Sequence, residues 1–156
     1  MNIVKNILKL FSILTLLVLL SFVILSVLNT NSDFADTLEA NWGIVLSEQV
    51  GWKLEYHADE GANFHGDGIR YNVLSYANED DIANMVAWHE SEGTTRRNRT
   101  YQDEITVWLD EIKADKSYYP EYQGCKYWYQ LETDGSEIIL VWNVAQDKVY
   151  VVESFY

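Results

Sequence analysis

The chain is 156 residues long and carries 24 Asp and Glu against 11 Lys and Arg. Lys5 and Lys9 precede a long apolar run; behind it stand nine basic and all 24 acidic residues, a net charge of −15 that disfavours binding to phosphate backbones or anionic headgroups. Six Trp, eleven Tyr and five Phe exclude disorder, and the single cysteine, Cys125, excludes an intramolecular disulfide.

Residues 10–28, LFSILTLLVLLSFVILSVL, form nineteen positions without charge, proline or glycine. As a helix they cover roughly 28 Å, close to the hydrocarbon thickness of a bilayer. The alternative is a cleaved signal peptide, which has an apolar core of about 7–15 residues and a small-residue cleavage site. This run ends in Ser26-Val27-Leu28-Asn29-Thr30, so an uncleaved transmembrane helix is the preferred reading. Lysines on the N-terminal flank, with no basic residue after the run until Lys53, make 1–9 a cytoplasmic tail and put the rest outside the cell.

Residues 29–41 read as a juxtamembrane linker: a polar spacer at 29–33, then a short helix in which Phe34, Leu38 and Trp42 approach helical spacing before Gly43 ends it. One domain is expected over 42–156, enough chain to bury a core without staples. Trp52, Leu54 and Tyr56 alternate with Lys53, Glu55 and His57, the period of a half-buried strand, and Ile69, Tyr71 and Val73 supply its partner. A helix is expected through Ile82, Met85, Val86 and His89, capped by Asn78 or Asp80. A second opens at Thr100, with Asp103 three residues on and a stripe of Ile105, Trp108, Leu109 and Ile112. Strands follow at 127–131, 138–144 and 149–152, the first two joined by a turn at Asp134-Gly135. The expected fold is α+β, an antiparallel sheet of about five strands with two helices packed on one face.

Between the first two strands lie eleven residues, Ala58 to Gly68, long for a hairpin connection. With its N-terminal span, its Gly43-Ile44-Val45-Leu46-Ser47 segment, its Asn63-Phe64-His65-Gly66-Asp67-Gly68 loop and its terminal strand pair near 137–154, the chain resembles small membrane-anchored bacterial proteins that carry a Gly-Phe-His-Gly-Asp-Gly loop. The resemblance implies a bacterial envelope protein and no mechanism. The chain departs from the pattern before Phe64, with Glu60-Gly61-Ala62-Asn63 where those proteins have a further histidine and glycines.

Three readings of the loop stand open. Gly66 and Gly68 around Asp67 suit a tight re-entry into the second strand, with Phe64 packed inward. Phe64, His65, Gly66, Asp67 and Gly68 equally suit a recognition loop for another molecule. His57, Asp59, His65 and Asp67, with Glu60 beside them, offer imidazole and carboxylate donors to a divalent metal such as zinc. Arg96, Arg97 and Arg99 form the one basic cluster beyond the tail and read as a solvated inter-helix loop.

No GxSxG elbow, phosphate loop, dinucleotide fingerprint or zincin helix is present. The sequence points to a membrane-anchored, non-catalytic binding module of the bacterial envelope, partnered by the bilayer through 10–28 and by another envelope protein, with no nucleic acid and no cofactor. The alternative is a divalent-metal protein or a hydrolase that uses the His/Asp-rich loop at 57–68.

Overall fold

The computed structural model describes residues 13–21, 33–46, 51–59 and 68–156. Five antiparallel strands form one sheet in the order β1-β2-β5-β4-β3: β1 Trp52–Asp59, β2 Gly68–Tyr76, β3 Cys125–Leu131, β4 Glu137–Asn143 and β5 Lys148–Phe155. The helices are α1 at 33–42, α2 at Glu79–Ala83 and α3 at Tyr101–Glu111. Residues 13–21 are also helical, and among the described residues no helix is long and apolar enough to cross a membrane. The α+β class and the five-stranded antiparallel sheet are as expected.

The helices differ from expectation because they cover both faces of the sheet. Side chains alternate across a strand, so β4 sends Ile139 and Val141 to one side and Ile138, Leu140 and Trp142 to the other. On the first side Ile105, Trp108 and Leu109 of α3 pack against Tyr71, Val73, Tyr150 and Val152. On the second, Leu38 and Trp42 of α1 and Ile82 of α2 pack against Leu74, Val149 and Val151. With both faces covered, β4 is buried at every position, which explains its unbroken apolar run. Each fully buried Leu, Ile or Val contributes about 1.5–3 kcal/mol relative to exposure.

The linker at 29–41 carries the short helix that the spacing of Phe34, Leu38 and Trp42 implies, and this helix packs on the sheet. The described part of the linker, from residue 33, is helical, and Leu38 is 1% exposed. Gly43, at φ +68°, closes α1 by donating its N–H to the Glu39 carbonyl, a left-handed position that suits glycine.

α2 is shorter than the apolar spacing implies. Asn78 caps it by accepting the Asp80 N–H, but it stops at Ala83, and Met85 and Val86 pack on the core beyond its end. His89 is not helical: it exchanges N–H···O bonds of 2.8 Å with Tyr127 on edge strand β3. There the connection passes from the α1 side of the sheet to the α3 side, and the pairing shields part of an otherwise open edge. α3 follows its sequence signals, Thr100 Oγ1 accepting the Asp103 N–H at 3.1 Å.

β1 does not keep one apolar face. The register slips at Glu55, so Trp52 and Leu54 join the α1 side while Tyr56 and Ala58 join the α3 side. The β3–β4 connection, 132–136, is also longer than a two-residue turn. Asp134 Oδ1 accepts the Ser136 N–H there, and Gly135 sits at φ +95°.

Candidate functional site

The bulge at Glu55 turns His57 toward the α1 side of the sheet, in register with Asn72. His57 Nδ1 lies 2.8 Å from Asn72 Oδ1, and His57 Nε2 lies 3.4 Å from Asp59 Oδ2. Both ring nitrogens thus face oxygen atoms. Two residues before Asn72, Arg70 stacks over the Phe155 ring at 4.5 Å, its Nε 3.8 Å from Glu153 Oε2. Glu153 is 1% exposed, and Trp42 donates Nε1–H to its Oε1 at 2.7 Å. Burial raises the Glu153 carboxyl above its ordinary range, against the opposing pull of Arg70 and Trp42.

Above these groups the first turn of α1 leaves a cavity of about 250 Å³, lined by Asp33, Phe34, Thr37, Leu54, His57, Arg70 and Asn72. Asn72 is fully buried, and its Nδ2 has no hydrogen-bond partner among the described residues. A buried amide left unpaired costs about 1–3 kcal/mol, so this donor marks the cavity as chemically unfinished.

Of the residues expected to ligate a metal, the structure brings together only His57 and Asp59, each about half exposed. Glu60, Phe64, His65, Gly66 and Asp67 lie outside the described residues. Gly68 opens β2. Among the described residues no group of three His, Cys, Asp or Glu side chains converges as a metal site.

The arginine cluster is not a solvated loop. Glu104 on α3 and Glu137 on β4 are both fully buried, and the arginines close over them. Arg96 Nε donates to Glu137 at 2.8 Å, Arg97 Nη1 lies 2.9 Å from the same carboxylate, and Tyr129 donates to its other oxygen. Arg97 and Arg99 both reach Glu104, and Arg97 also meets Tyr156. Burial works against the charge of Arg97, but its bond to Glu104 and the charge of Glu137 hold the guanidinium above its usual range. A cavity of about 500 Å³ opens beside this network, bordered by Gly68, Arg97, Arg99, Trp108 and Tyr156. Three cations over two anions fasten α3 and the 94–100 loop to the end of the sheet, a structural role.

Cys125 is buried between Tyr127 and Tyr150 in the core, and burial, then the charge of Glu121, pushes its thiol up to about 11. That environment suits packing, not nucleophilic attack. Sequence reading placed His57 and Asp59 but passed over Arg70, Asn72, Glu153 and Trp42. A signal existed for Glu153, which interrupts the apolar run of β5 where an uncompensated polar residue is costly; Asn72 was hidden in the polar alternation of β2. Comparison with known proteins finds no family model, no curated protein and no solved structure that matches the chain.

Proposed function

We propose that the chain is a single-pass protein of the bacterial envelope whose outward α+β domain is a non-catalytic binding module. In this reading residues 1–9 are cytoplasmic, 10–28 cross the bilayer, and the domain stands outside as a soluble, acidic body. One observation carries the anchoring. Seven large apolar side chains of helix 13–21, from Ile13 to Leu20, are each 55–67% exposed and point in every direction around the axis. A helix apolar all round belongs in a protein core or in lipid, and among the described residues these side chains join neither core cluster. The flanking lysines set the orientation.

The binding role rests on the α1 cavity, the place where a fully buried donor remains unpaired beside an ionic pair and an imidazole. Alkaline carbonate washing of native membranes, combined with a C-terminal alkaline phosphatase fusion, tests the reading. Retention in the pellet and an active fusion are expected. Release into the wash, or an inactive fusion on stably produced protein, contradicts it.

A further inference from the structure

We infer that edge strand β1 and the cavity beneath the first turn of α1 bind an extended, basic peptide segment of a partner protein, which adds a sixth strand and places a glutamine side chain in the cavity. The inference deepens the binding-module reading and rests on it. β1 ends the sheet order, and among the described residues no strand pairs with its outer edge. Alternate residues of an antiparallel strand turn N–H and C=O outward, so an edge offers a ladder on which a further strand forms. The cavity lies beside this edge: Leu54 and His57 of β1 line it, and His57 is about half exposed. Every second side chain of an added strand points to the α1 side, into the space between β1 and α1. The bulge at Glu55 divides β1 into 52–54 and 56–59, which suits a short peptide better than a second sheet.

The chemistry of the cavity selects the side chain. Its charged groups are already matched within the protein: His57 faces Asp59, and Arg70 lies against Glu153, whose other oxygen accepts from Trp42. What it offers a ligand is neutral. Asn72 Nδ2 is fully buried, has no partner among the described residues and donates. Thr37 Oγ1 gives its hydrogen to the Asp33 carbonyl at 2.7 Å and keeps lone pairs that can accept. A primary carboxamide matches both, its oxygen on the Asn72 N–H and its N–H₂ on Thr37, with Phe34 and Leu54 along its methylenes. At about 250 Å³ the cavity lies below the roughly 300–1,000 Å³ of sites for drug-sized ligands, which suits one side chain. Charge sets the flanks. The domain carries −15 and α1 exposes Asp36 and Glu39, so lysine or arginine beside the glutamine is favoured, and a second copy of the same acidic body is repelled.

Selection of random decapeptides displayed on phage against the full chain in detergent micelles, then titration of the enriched peptides by fluorescence anisotropy, tests this. Enriched peptides are expected to be basic and to share one glutamine, and replacing it with leucine should weaken binding at least tenfold. Backbone N-methylation of the alternate residues that face β1 should abolish binding, and N-methylation of the other set should spare it. Thr37→Trp, which fills the cavity, is expected to lose at least tenfold in affinity, and Asn72→Leu to lose the preference for glutamine over leucine. Thr37 is partly exposed, so T37W remains informative if N72L does not fold. No enrichment by the folded wild-type chain overturns the inference. So do peptides indifferent to the glutamine, binding that survives N-methylation of both sets, or a dimer of the chain joined edge to edge through β1. If peptides fail while crosslinking in native membranes still captures a partner through this face, the peptide site falls and the binding-module reading stands. If both fail, both fall.

Discussion

Glu153 is the residue at which burial and charge conflict most plainly. Its carboxyl is raised by desolvation, so the folded state holds that proton more tightly than the unfolded chain does. The contribution of Glu153 to stability is therefore greatest at acid pH, and it declines as pH rises from the ordinary carboxylate range through the folded value. Glu153→Gln keeps an acceptor for Trp42 Nε1 and removes the titration. Urea unfolding from pH 4 to 8 should show a flatter profile for E153Q, with stability at pH 7 equal to or above wild type; a large loss at pH 7 would mean that the Arg70 pair is net stabilising. Cys125 gives a second test at this scale. With its thiol pushed up to about 11 by burial, iodoacetamide at pH 8 should modify it far more slowly in the native protein than in urea. Equal rates would show that the strand is not packed as described.

At the scale of elements, two interactions fasten α3 with different strengths. The Thr100 cap is a single hydrogen bond at a helix end, and Thr100→Ala should cost about 1 kcal/mol. Arg97 spans two fully buried carboxylates, and Arg97→Ala should cost about 3–5 kcal/mol because it strips a partner from each. Chemical denaturation of the two variants checks the ranking, and a smaller loss for R97A than for T100A would refute it. α1 is tested in the same way: Leu38→Ala should cost about 2–5 kcal/mol, whereas a true linker would lose almost nothing. These elements also show what a sequence makes legible. The α3 cap and stripe lie within twelve residues of one another and follow local rules, so both could be read directly. The early end of α2 could not, because His89 is taken by Tyr127 on a distant strand. The β1 bulge was hidden for a similar reason: one residue out of register reverses every later side chain and leaves no local mark. The candidate site was half legible. His57 and Asp59 stand out by residue type, but Trp42 and Glu153 meet across 111 positions, and only the sheet order brings them together.

For the whole molecule, the sequence divides into an apolar run at 10–28 and an acidic body behind it. A domain with net charge −15 is disfavoured at anionic headgroups, so under the proposed anchoring it would stand off the bilayer while residues 10–28 hold it near. The two-sided core covers both faces of the sheet, and α1, the first helix of the acidic body, completes one of them. The most direct measurement is labelling of intact cells, or of spheroplasts where an outer membrane is present, with a membrane-impermeant amine reagent read out by peptide mass. Lys116, 83% exposed, should be labelled without lysis, and Lys5 and Lys9 only after it. Labelling of Lys5 and Lys9 in intact cells, or protection of Lys116 until lysis, would contradict the account.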